Sequence, residues 1–313
     1  MSWSGEYRVQ GIGSNQTSTY IAGRSPSGIN AEELDPATLG RVGPVTNLAS
    51  FMGSSDAGVT RVNVVSASLG PALIWVSQGG SATLHRMQTQ SLSSLSMSSP
   101  GLVTQGDDII VATNRWLATS RCSDNCSFPG VTSSATGTVA RLVSGSFDGN
   151  NSALGAPTEF STILGQAGGP AVFDPGSPIR IATDGSGAFF LAGQDSSGRL
   201  VVQRRDLTTG ALLVEYASTG AIKLADMTRA QMGTAVYLLV TVGQVSSFSG
   251  AIFNPVAANL GNVAVIRIDT IVNASFFDIP LDQQAVAFTK SQGFLYIAVQ
   301  EGTNAVLWRT PAP

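Results

Sequence analysis

The chain has 313 residues, 43% hydrophobic and only 12% charged, with a net charge of −3 and 35 glycines. Charge is about half its usual share, and no basic cluster offers the electrostatic footprint that nucleic-acid binding needs. No apolar run reaches the roughly 18 residues that span a bilayer, and helix signals are confined to 31–39 and 224–232, each enough for a single turn.

Many glycines and little charge fit a closed all-β domain rich in turns, and such domains run past about 200 residues as one unit. The chain therefore reads as a single domain, 1–313. Its opening, MSWSGEYRVQ, lacks the basic and apolar regions of a signal peptide. Either the protein is not secreted or this is a mature or trimmed chain.

Short strands punctuated by turn residues then follow in repeating units. The first unit predicts strands at Tyr7–Gly13, Ser18–Arg24, Ile29–Gly40 and Val45–Phe51. The second predicts Val59–Ala67, Pro71–Gly79 and Ala82–Gln88. The third predicts Asp107–Trp116 and Thr138–Asp148, separated by an insertion at Leu117–Gly137 that carries both cysteines.

The fourth unit is the plainest: Ile179–Asp184, Ala188–Gln194, Arg199–Asp206 and Ala211–Tyr216, separated by Asp184-Gly185-Ser186-Gly187, Asp195-Ser196-Ser197-Gly198 and Leu207-Thr208-Thr209-Gly210. Asp, Ser and Gly accept the positive φ of tight turns, so these clusters are hairpin chemistry. Four strands in about 38 residues is the size of one β-propeller blade. Asp206 and Thr209-Gly210 are echoed in the first unit by Asp35 and Thr38-Leu39-Gly40.

The fifth unit predicts Ala221–Met227, Ala235–Gly243, Asn262–Asp269 and Ala274–Pro280, with a second insertion at Gln244–Gly261. The sixth predicts Ala285–Lys290, Gly293–Gly302 and Asn304–Thr310. Its missing outer strand is expected from the N-terminus, around Ser2–Glu6, because closing a ring with both termini removes exposed edges. The expectation is an all-β, six-bladed propeller of four-stranded antiparallel blades. Ser152–Pro178 leaves room for a seventh.

The run from Asp184 to Gly210 resembles the bacterial-type β-propeller repeats of surface and secreted proteins, and weakly the quinoprotein-type repeat without its tryptophan. The match is good over Asp184–Gly210, partial in the first and fifth units and thin elsewhere. The resemblance implies a propeller, often extracellular, and carries no catalytic residues to transfer.

Candidate chemistry is sparse. His85 is the only histidine, so every His-dependent triad or His-rich metal site must use it. No nucleophile elbow, zinc-protease helix, phosphate loop or dinucleotide fingerprint occurs. Asp107-Asp108 and Glu32-Glu33 are adjacent pairs, which strands send to opposite faces. The two Asp-Gly-rich turns lack the alternating oxygen ligands of a calcium loop. No catalytic, cofactor or metal residue is assigned, and no cofactor is expected.

Cys122 and Cys126 are too few for a structural zinc site. They read as a local disulfide, which implies an oxidising compartment, or as two free thiols. Asn15, Asn125, Asn150 and Asn273 head Asn-x-Ser/Thr sequons. Arg86, Arg141, Arg204, Arg267 and Arg309 recur in five of the units. They would form a cationic ring for an anion or acidic glycan, or pair with neighbouring aspartates, as Arg204–Asp206 and Arg267–Asp269 invite.

These readings converge on a non-enzymatic extracellular or cell-surface propeller acting as a binding or assembly module. Its contact loops would be the two insertions, and its partner a protein or another copy, with neither nucleic acid nor a membrane span involved. The alternatives are a lectin-like glycan binder, although Trp3, Trp75, Trp116 and Trp308 do not repeat in register, and a glycoside-cleaving enzyme with two carboxylates.

Overall fold

The computed structural model describes residues 2–6, 8–14, 17–48, 59–65, 72–78, 81–88, 91–97, 105–112, 114–122, 127–128, 131–132, 139–148, 153–154, 160–166, 172–229, 235–241, 248–249, 263–268, 274–277 and 283–312. The described strands form six antiparallel sheets of four or five strands and one two-stranded ribbon. The architecture is a β-propeller.

The first sheet runs Arg8–Ser14, Thr19–Ser25, Gly28–Leu34 and Thr46–Asn47. The second runs Val59–Val65, Ala72–Gln78, Ser81–Gln88 and Ser91–Met97. The third runs Gln105–Ala112, Arg115–Cys122 and Val139–Asp148, whose outer side takes both Ala153–Leu154 and Phe160–Gln166. The fourth runs Arg180–Thr183, Ala188–Gln194, Arg199–Asp206 and Leu212–Ala221, with Phe248–Ser249 outermost. The fifth runs Lys223–Arg229, Val236–Thr241, Val263–Arg267 and Ala274–Phe277. The sixth runs Gln283–Ser291, Phe294–Glu301 and Asn304–Pro311, closed by Ser2–Glu6 through five residue pairs from Ser2↔Trp308 to Glu6↔Asn304. The N-terminal strand therefore sits where ring closure requires it.

Inner strands of successive sheets touch in a closed circuit: first to second, on through the sixth, and back to the first. Apolar clusters fill the spaces between sheets. Phe190, Leu200, Val202, Leu238 and Ile266 pack between the fourth and fifth, and Tyr296, Leu307, Ile21, Leu34 and Leu39 between the sixth and first. Further clusters join fifth to sixth and third to fourth. Strands buried on both faces read as near-continuous apolar runs, which is why AFFLA and VYLLV lack polar alternation.

Several sequence-based expectations change. Two sheets have five strands, not four. Asp107–Trp116 is not one strand. The chain turns at Asn114, and Trp116 lies in the next strand. The first insertion begins after Cys122, because Leu117–Cys122 is paired with both neighbours. The interval read as room for a seventh blade instead supplies the outer edge of the third sheet. The helical turns expected at 31–39 and 224–232 are strand and turn over their described residues. Hairpin pairing uses the same backbone groups a helix would, and burial on both faces decides for the sheet.

The two Asp-x-x-Thr turns confirm their echo. Asp206 Oδ1 accepts N–H bonds from Thr208 and Thr209 and the Thr209 hydroxyl, at 3.0, 2.7 and 2.9 Å. Asp35 Oδ1 repeats this with Ala37, Thr38 and the Thr38 hydroxyl, at 2.9, 2.7 and 2.9 Å. The left-handed residue is Gly210 in one (φ 71°) and Leu39, not Gly40, in the other (φ 59°).

Candidate functional site

Two places can carry function: the axis, where the inner strands meet, and the face from which the insertions leave. The inner strands of five sheets carry a register shift one residue wide, at Val9/Gly11, Val59/Arg61, Gly106/Asp108, Leu224/Asp226 and Ala285/Ala287. A bulge of this kind re-aims the next side chain. The fourth sheet aligns through a shared bond. Ile181 N–H donates to Asp108 and Phe288 N–H to Asp226, at 3.2 and 3.1 Å. Arg180 therefore stands where Ala287 does. Around the ring that position reads Gly11, Arg61, Asp108, Arg180, Asp226 and Ala287.

Asp108 and Asp226 are 2% and 3% exposed. A cavity of about 50 Å³ lies among Ile12, Val64, Asp108, Thr183, Asp226 and Phe288, one residue from each sheet. That space has room for water molecules but not for a sugar or nucleotide. Asp108 also accepts the Ile109 N–H at 2.9 Å, and the Arg180 guanidinium lies 3.7 Å from Asp226. Buried carboxylates require such partners.

The same alignment tests the arginine series. Two residues before the partner of each axial position stand Tyr20, Trp75, Leu117, Phe190, Tyr237 and Tyr296. Facing them across the ladder are Glu33, Leu84, Ser144, Arg204, Arg267 and Arg309. Only three of the five arginines share the position. Arg86 pairs with Leu73 and Arg141 with Ser120, two and three residues away. The five therefore do not occupy one register position. Arg141 is 1% exposed, and burial pushes its pKa down. Arg204 pairs with Asp184 at 3.2 Å rather than with Asp206, which is occupied by its own turn. Arg309 donates to the Ala37 carbonyl and lies 3.8 Å over the Phe294 ring. Arg267 is half-buried on its strand, and Asp269 lies outside the described residues.

Sequence reading missed the repeated aromatic because it changes among Tyr, Trp and Phe, and because insertions break its spacing. Tyr20, Phe190, Tyr237 and Tyr296 are at most 4% exposed. They pack the sheets together and offer no platform to a sugar.

The remaining candidates are structural where they are described. Asp184 Oδ1 caps its turn through Ser186 and Ala188 N–H at 2.7 and 3.1 Å, and Asp195 through Ser197 and Arg199 at 2.9 and 3.0 Å. For both, burial raises the pKa, but these bonds together with Arg204 and Arg199 outweigh it and hold the carboxyls below 3.8. Glu32 pairs with Arg41 at 2.8 Å, while Glu33 accepts from the Ser18 hydroxyl at 2.5 Å, so the two diverge as strand neighbours must. His85 pairs with Ile74 and Ser94, and its side chain lies outside the described residues. Cys122 ends a strand, whereas Cys126 and all four sequon asparagines, Asn15, Asn125, Asn150 and Asn273, lie outside the described residues.

Both insertions join the second strand of their sheet to the third. Antiparallel alternation puts all such connections on one face of a propeller and the Asp-x-x-Thr turns on the other. The insertions thus leave the same face on either side of the fourth sheet. The first contains the ribbon Ser127–Phe128 with Val131–Thr132. The second reaches back to the fourth sheet, where Phe248 and Ser249 pair with Ser218 and Ala217.

No protein-family model and no curated protein matches the chain. Solved structures do. A triple arginine-to-alanine mutant of AofleA from Arthrobotrys oligospora is similar at TM-score 0.56 and 8% identity, over 100% of this chain and 87% of that one. SapL1 lectin in complex with alpha methyl fucoside matches at 0.48 and 10%, over 95% and 89%. A nidogen/laminin complex matches at 0.45 and 7%, over 86% and 84%. At these identities the likeness is one of fold alone.

Proposed function

We propose that the six sheets are the blades of one ring-shaped domain spanning 1–313, and that the ring is a rigid scaffold for binding or assembly with no chemical step of its own. The observation that carries this reading is the placement of the two insertions on one face, flanking the fourth sheet. Long connections on a rigid scaffold are where recognition sits. The axis supports it from the other side, because its buried charges are spent on neighbouring backbone and its cavity is too small for an organic substrate.

The partner is a protein or a second copy, and the site of action is the cell surface or the extracellular space. The Cys122–Cys126 spacing and the four sequons support that location. Alanine replacement across 123–137 and 250–261 tests the contact face. Loss of partner capture or of self-association, with an unchanged unfolding curve, is the expected outcome, and full retention of both sinks the assignment. Intact mass of protein from its natural source, without reductant, tests the location. A mass carrying sugars and two hydrogens short supports it, and a bare mass with two thiols removes it.

A further inference from the structure

The axial side chains form a directional chain of contacts. Asp108, from the third sheet, takes the Ile181 N–H of the fourth at 3.2 Å. Arg180, from the fourth and 7% exposed, donates from Nε and Nη2 to the Ala225 carbonyl of the fifth, both at 3.4 Å, beside Asp226. Asp226, from the fifth, takes the Phe288 N–H of the sixth at 3.1 Å. Each link starts at the same register position and ends on the next sheet's inner strand, always in one sense around the ring. In the sixth and first sheets the position is Ala287 and Gly11, which have nothing to reach with. In the second it is Arg61, so the residues alternate in charge from the second sheet to the fifth.

We propose that this axial relay locks the third to sixth sheets into one arc, so that the sheets bearing the two insertions respond together. The two insertions then hold a fixed spacing, and a load on one is felt at the other through Arg180. The functional half of this inference rests on the binding face proposed above, but the relay itself is a property of the unliganded ring.

The physical requirement is that each member depends on its neighbour. Arg180 is a buried cation paired, among the described residues, with Asp226 at 3.7 Å. Without that carboxylate, Arg180 leaves the Ala225 carbonyl or draws in water, and the strand that Asp108 grips shifts with it. A contiguous set of buried polar contacts can carry coupling in this way.

The test uses the whole chain without a partner. D108N and D226N are made singly and together, in the natural background and with R180M. Residues far apart and uncoupled change the unfolding constant independently, within about twofold. With Arg180 present, the double variant is expected to depart from the product of the singles by more than about threefold. With R180M the departure is expected to vanish. Additivity in both backgrounds overturns the relay.

Amide exchange gives the second readout. R180M is expected to speed exchange at Phe288, which Arg180 does not touch, and at Ile181, while 19–25 and 28–34 stay unchanged. A change confined to 225–226, or one spread evenly over all six sheets, overturns the proposal. Failure of the insertions to bind a partner leaves these measurements untouched, so the two readings fail separately.

Discussion

Two pairs of aspartates do the same job in different places. Asp108 and Asp226 accept backbone N–H groups from the next sheet, at the axis and almost wholly buried. Asp35 and Asp206 accept N–H groups from their own turns, at the rim and open to solvent. The axial bonds are the longer, at 3.2 and 3.1 Å against 2.7 Å in each turn. Losing them nonetheless costs more, because an exposed donor turns to water while a buried one has nowhere to go. A hydrogen bond's structural weight is set by its surroundings.

The largest expected effect comes from cutting the axial pair. D226A strands both the Phe288 N–H and the Arg180 guanidinium, and losses from breaking a buried ion pair run about 3–5 kcal/mol. D108A strands the Ile181 N–H, for about 1–3 kcal/mol. Urea unfolding of both variants checks the order. Equal losses would mean that Arg180 contributes nothing to the difference.

The next effect separates the two rim turns. Gly210 and Leu39 occupy the same left-handed position, and Leu39 is held there by burial at 3% exposure. Gly210 is buried too, its N–H on the Asp206 carbonyl and its own carbonyl taken by Arg205 at 2.8 Å, so G210A is expected to cost about 1 kcal/mol from backbone strain. An unchanged unfolding midpoint would show that the turn flattens to avoid the strain.

The smallest effect is one of pH. Thr209 N–H and hydroxyl bonds hold the Asp206 pKa below 3.8, and Thr38 does the same for Asp35. A carboxyl whose folded pKa is depressed stabilises the fold above its unfolded pKa and loses that contribution as pH falls through the folded one. The window therefore lies below pH 3.8. T209V is expected to move the Asp206 titration upward toward 3.8, followed by NMR of the carboxyl carbon, while Asp35 stays put. A parallel shift of both would tie the two turns together through something other than local bonds.

Much of the strand order was legible in advance. Turn clusters such as Asp184–Gly187 act locally, through residues that cap their own backbone, so they mark hairpins without reference to the rest of the chain. The closing strand at Ser2–Glu6 was also legible, because an unfilled edge in the last unit demands a partner from the first residues. The turn at Asn114 carries no Gly-rich cluster, and SLSSLSM at Ser91–Met97 has the composition of a loop, so neither the turn nor the strand shows in the sequence. The arginine series failed for a different reason. Counting residues along the chain cannot follow cross-strand register over connections of unequal length, and one residue of slip sends a side chain to the other face.

Short apolar strands, local turn chemistry and low charge set the class and the repeat from the sequence alone. What the tertiary structure decided is which residues meet. Asp108, Arg180 and Asp226 are separated by 72 and 46 positions in the chain and carry no common motif. They converge because six inner strands, five of them bulged, surround a narrow axis where a charge must find its partner on the next sheet.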